Sequence, residues 1–167
     1  MLILRLILGL TMAAHGYNKF FGSGGISGTA TWFDSIGMRP GKVNAIAAAT
    51  TELAAGLCLA AGLLTSFAAA AFVALMLVAV WTVHRHHGFF AMNEGWEYNL
   101  VLAGSAVAVA TIGAGGFSLD YLLFCGAGFA DVLRGWGGLA LAVVLGVAAG
   151  IGQLLVFFRP PAKTTAS

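Results

Sequence analysis

From Gly138 to Phe158 the chain carries no Asp, Glu, Lys or Arg, and four other stretches are nearly as apolar: Met1 to Phe20, Val43 to Leu63, Ser66 to Val83 and Glu97 to Ile112. A helix rising 1.5 Å per residue needs roughly 20 mostly apolar residues to cross the hydrocarbon layer of a bilayer. Five such segments in 167 residues leave no room for a separate soluble domain. Charged residues make up 8% of the chain, against about 25% in water-soluble domains. With so few charges the surface cannot be covered in water, so lipid must be its solvent. The expected fold is an all-α membrane protein with a four-helix transmembrane core, a fifth C-terminal transmembrane helix and a short interfacial helix.

The first stretch reads as a retained span rather than a signal peptide. Arg5 lies inside the apolar run, where a signal sequence would place its basic residues ahead of it. The long connection from Phe21 to Lys42 holds the expected interfacial helix, whose apolar face would be Trp32, Phe33, Ile36 and Met38, with Asp34 and Arg39-Pro40-Gly41 in water. The second and third spans are joined only by Gly62 to Thr65, which demands a tight antiparallel hairpin. With five crossings, Lys19, Arg39, Lys42, Arg85, Arg159 and Lys163 share one side, against Arg134 and Arg5 on the other. By the positive-inside rule the first side is cytoplasmic, which puts the N-terminus outside and the C-terminus in the cytoplasm.

A net charge of +2, with no basic run and no aromatic–basic interleaving, gives no footprint for nucleic acid. Cys58 and Cys125 form neither a CxxC pair nor a zinc spacing, and Cys58 reads as a packing residue. No metal is expected: His84-Arg85-His86-His87 offers three imidazoles, but at a spacing poorly suited to one ion. Trp32, Trp81, Trp96 and Trp136 suit anchoring at the interface, and stacking on a quinone ring is the sharper alternative.

The ionisable residues of the spans are not scattered at random, and such residues are costly in lipid. His15 and Lys19 are four apart near the cytoplasmic end of the first span. Glu52 lies about 13 Å along the second span from Val43 at 1.5 Å per residue. The third span ends at His84, and the fourth begins with Glu97 and Tyr98. Two readings stand: ordinary interhelical pairing, or a half-buried polar pocket that binds a small head group or relays protons, with Glu52 and Glu97 as its candidate catalytic groups. At the opposite face an Arg5–Asp120 structural pair is expected. Gly138, Ala142, Gly146 and Gly150 recur every four residues in the fifth span, a small-residue stripe for close packing on the bundle or on another protein.

Several of these segments, in order, resemble the DoxX family of small bacterial membrane proteins. They are Arg5-Leu6-Ile7-Leu8-Gly9 with His15-Gly16-Tyr17-Asn18-Lys19-Phe20-Phe21, then Glu52-Leu53-Ala54-Ala55-Gly56-Leu57 with Gly62-Leu63-Leu64-Thr65. His87-Gly88-Phe89-Phe90 with Glu97-Tyr98-Asn99-Leu100 follows, and Gly113-Ala114-Gly115-Gly116-Phe117-Ser118-Leu119-Asp120 closes the set. The resemblance implies a four-helix core over residues 1–120 and a role as a small membrane subunit beside quinone-dependent or oxidative-stress oxidoreductases. Residues 121–167, with the connection, the extra span and a short polar tail, depart from it. No haem, flavin or iron–sulfur motif is evident, so electrons would come through a partner. The leading expectation is a subunit of a quinone-linked oxidoreductase or respiratory complex, in contact with lipid and other membrane subunits, with quinone as the candidate cofactor. The alternatives are a non-catalytic assembly or anchoring subunit and, third, a small solute transporter. No inverted repeat supports the last.

Overall fold

The computed structural model describes residues 1–124 and 133–160; Cys125 and Lys163 lie outside them. The described residues form an all-α membrane protein. Helix α1 spans Leu2–Phe21, α2 Gly25–Ser35 and α3 Gly41–Ala61. Helix α4 spans Thr65–His84 and widens to a π-helical turn over Val80–His84. Helix α5 spans Glu97–Ile112, α6 Leu119–Phe124, and α7 Gly135–Phe157 with a second π-helical stretch at Leu141–Leu145. Of the five expected spans, α3, α4 and α7 are long and apolar enough to cross a membrane. Helix α5 is a shorter apolar helix of 16 residues, and α1, at 20 residues, has the length but carries Arg5, His15 and Lys19.

Small residues set the helix spacing. Gly9, Ala13 and Gly16 of α1 lie against Ala49, Gly56 and Ala60 of α3, with backbone on backbone. Without hydrophobic attraction between helices in lipid, such close contact supplies the association energy. Leu8, Met12, Leu59, Phe72, Leu102, Ala106 and Val109 fill the centre, contributed by α1, α3, α4 and α5. The stripe of α7 joins the same bundle. A Cβ on Gly138 would meet Ala110 of α5; Ala142 is fully buried; Gly146 faces Ala70 and Val73 of α4; Gly150 faces Ala74 and Leu77.

A second cluster forms at one end of the bundle. Phe33 and Met38 are buried there with Ala30, Ala45 and Val78, and Ile36, Phe157 and Phe158 pack around them. The apolar face expected to lie along the interface is therefore docked into protein at Phe33, Ile36 and Met38, and only Trp32 stays exposed, at 46%. Two backbone bonds fasten this end: Arg39 donates to the Phe157 carbonyl at 2.9 Å and Arg159 to that of Gly37 at 2.7 Å. The C-terminal end of α7 thus shares a face with α2 and the start of α3. Inside it, Gln153 donates to Asn44, 1% exposed, at 3.4 Å.

At the opposite end the α3–α4 hairpin turns through Gly62 and Leu64, both with positive φ. A side chain at Gly62 would collide with the Arg5 guanidinium, so glycine answers both the backbone and the space. Asp120 accepts hydrogen bonds from the Leu64 and Thr65 amides at 2.7 and 2.9 Å, capping α4 from another part of the chain. A carboxylate there satisfies orphan amides and meets the positive end of the helix dipole. Arg5, fully buried, donates to the carbonyls of Ala60 and Phe117. The expected Arg5–Asp120 contact is therefore not a direct ion pair. Both carboxylate oxygens hold amides and the guanidinium is turned to carbonyls, leaving only a longer-range attraction between the two.

Candidate functional site

The buried contact between α1 and α3 brings two charged side chains together. Lys19 Nζ lies 2.6 Å from Glu52 Oε2, with the side chains 21% and 11% exposed. It is the one ion pair found among the described residues. Its geometry has a local cause in Gly16, one turn before Lys19. A Cβ on Gly16 would stand 3.1 Å from the Glu52 Cβ, so the missing side chain leaves the carboxylate room to run along α1 to the ammonium. In a low-dielectric surrounding each charge depends on the other, because an isolated one would be expensive to keep.

The other sequence candidates do not join this pair. His15 is exposed on α1, and Tyr98 is 47% exposed at the start of α5. The Glu97 carboxylate turns back to accept from the Ala91 amide at 2.9 Å, and His84 Nδ1 bonds the Glu94 carbonyl. Both side chains organise the link from α4 to α5. The expected convergence of His15, Lys19, Glu52, His84, Glu97 and Tyr98 thus reduces to Lys19 and Glu52, because a tight loop with many backbone amides claims the acceptors nearest to it. No three His, Cys, Asp or Glu side chains gather as metal ligands among the described residues.

Asn99 is a buried polar residue beyond the sequence candidates. It is 5% exposed, and its amide donates only to the Met76 thioether at 3.5 Å, a weak acceptor. Its register with the buried Leu102, Ala106 and Val109 is the signal that marks it as inward-facing. A groove of about 310 Å³ also runs between α3 and α4, lined by Thr50, Thr51, Cys58 and Phe67 among others. Neither Lys19 nor Glu52 lines it, so it is separate from the polar pair.

A polytopic helical membrane bundle with a partly buried Lys19–Glu52 ion pair is the class of protein this fold defines. The chain belongs to the DoxX family, whose pattern matches residues 1–85. It is similar to a Bacillus subtilis (strain 168) protein described as "Putative oxidoreductase CatD", 32% identical over 125 residues, covering 75% of this chain and 87% of the relative. A Haemophilus influenzae relative described as "Uncharacterized protein" is 29% identical over 131 residues, covering 74% and 82%. No solved structure is a significant match.

Proposed function

We propose that this DoxX protein is the membrane subunit of a quinone-linked oxidoreductase and that Lys19 and Glu52 form its ligand site. The observation that carries the reading is the 2.6 Å Lys19–Glu52 pair, a donor and an acceptor held partly buried within one helix interface. The description of the Bacillus subtilis relative as an oxidoreductase supports the same direction.

The donor set suits a quinone head group. An ammonium donates to a carbonyl oxygen, and a carboxylate accepts a hydroxyl or takes up a proton. A bound quinone would supply the two-electron, two-proton chemistry. The chain's own contribution is to orient the head group with Lys19 and to hold or pass a proton at Glu52. Electrons would reach the site from a partner subunit. The basic residues Lys19, Arg39, Lys42, Arg85 and Arg159 support a cytoplasmic position for this end of the bundle under the positive-inside rule.

Glu52→Gln in the assembled complex tests the reading. Quinone reduction should fall while the complex still forms, and unchanged turnover would remove Glu52 from the mechanism. The assembly-subunit alternative loses the surface that motivated it, because Gly138, Ala142, Gly146 and Gly150 are already used against α4 and α5.

A further inference from the structure

The link between α4 and α5 carries a group of basic side chains that neither the fold nor the proposed site uses. Arg85, His86 and His87 follow one another and are all exposed. The Arg85 guanidinium lies 4.3 Å from the centre of the Trp81 ring. This cation–π stack holds a permanent positive charge in place without neutralising it. Among the described residues no carboxylate pairs with Arg85, and no hydrogen bond or ion pair occupies the imidazoles of His86 and His87. Of the acids on the same link, Glu97 holds the Ala91 amide, and exposed Glu94 makes no ion pair among the described residues.

The segment is built rather than loose. Gly95 donates to the Phe90 carbonyl, Trp96 to that of Gly88 and Glu97 to that of Phe89, while Phe89 packs edge-on against Trp96 with centroids 4.8 Å apart. Beside the basic group this frame presents apolar side chains: Trp81 is 47% exposed, Phe90 60% and Met92 89%. Val78, two turns before Arg85, packs with Phe33, Met38 and Phe158, so the link lies at the end of the bundle that also carries Arg39 and Arg159.

We infer that Arg85, His86 and His87 form a binding site for the phosphate of an anionic phospholipid. A guanidinium whose edge is free offers paired donors to phosphate oxygens, and the two imidazoles add further donors. The flanking Trp81, Phe90 and Met92 suit the acyl side of an amphiphile, which a soluble phosphate lacks. This site is independent of the Lys19–Glu52 reading.

The test is native mass spectrometry of the full chain released from micelles doped equally with phosphatidylglycerol and phosphatidylcholine. The wild type should retain phosphatidylglycerol preferentially. Arg85→Gln should lower that retention about fivefold, the effect of one basic residue near an anionic lipid surface. The combined His86→Ala and His87→Ala variant should lower it further, and excess inorganic phosphate should leave the adduct in place. Equal retention of both lipids, an unchanged Arg85→Gln variant, or displacement by inorganic phosphate would each overturn the assignment. If Arg85→Gln proves unstable, Glu94→Lys adds a charge to the same link and should raise phosphatidylglycerol retention; no rise overturns the site.

Discussion

Gly9 of α1 and Gly56 of α3 face each other so closely that a Cβ on Gly56 would stand 2.5 Å from the Gly9 carbonyl oxygen. Backbone lies on the other side of that contact, so the space cannot be made by rotating a side chain. Gly56→Ala should therefore force α1 and α3 apart and cost about 1–3 kcal/mol, the usual range for overpacking. Gly104, in the interior of α5, has nothing within 4 Å of its would-be Cβ. Gly104→Ala should be neutral or stabilise by about 0.4–1 kcal/mol. Thermal unfolding in detergent, followed by size-exclusion recovery, should order the three proteins as Gly104→Ala at or above wild type and Gly56→Ala below.

That same contact is what delivers Lys19 to Glu52, so the pair's structural and functional roles need to be separated. Removing one partner leaves the other charge partly buried, which for buried pairs costs about 3–5 kcal/mol. Because the side chains are 21% and 11% exposed, Lys19→Met and Glu52→Leu should fall at the lower end of that range. The double variant should recover most of the stability, since two apolar side chains of similar size can replace an ion pair. Quinone reduction by the complex should stay low in all three. If activity returns together with stability in the double variant, the pair is interhelical glue and not a site.

The long helices are legible in the sequence because apolar length decides α3, α4 and α7, and apolar runs mark α1 and α5 as well. Glu97–Ile112 has the bounds expected, and the other four spans shift by one to three residues at their ends. The direction of side chains at helix ends was not legible. Glu97 and His84 stand where a pocket would want them, yet short loops supply competing amides and carbonyls that only the folded backbone reveals. Asp120 is the same lesson: its charge suggested Arg5, whereas the two free amides at the start of α4 lie nearer. Lys19 and Glu52 are legible as members of one polar group because both sit within spans, where few partners exist; that they pair with each other is visible only in the folded chain. Asn99 and Asn44 are not legible in the sequence, because an uncharged amide in an apolar helix becomes informative only once its burial is known.

Asp120→Ala should loosen the α3–α4 hairpin. It removes both acceptors from the Leu64 and Thr65 amides, and losing such a helix cap costs about 0.5–2 kcal/mol. Asp120→Asn retains one acceptor oxygen and should lose less. Hydrogen exchange followed by mass spectrometry should show faster exchange at residues 62–66 in the alanine variant, with the Phe157–Arg39 end of the bundle unchanged. Equal exchange at both ends would mean that the cap does not hold the turn.

Gly146→Leu separates two meanings of the small-residue stripe. If α7 were a docking surface for another protein, this change would release a partner and leave the chain's own fold intact. The structure instead sets Gly146 against Ala70 and Val73 of α4, with a would-be Cβ 2.6 Å from the Val73 Cβ and 2.7 Å from the Ala70 carbonyl oxygen. A leucine there must push α7 off α4 and open the layer that buries Ala142. The expected outcome is a large loss of thermal stability in the isolated protein, before any partner is added. Gly152 lies on the same helix with nothing within 4 Å, so Gly152→Leu should leave stability close to wild type. Should Gly146→Leu unfold at the wild-type temperature, α7 is not an integral part of the bundle, and its stripe returns as a candidate interface.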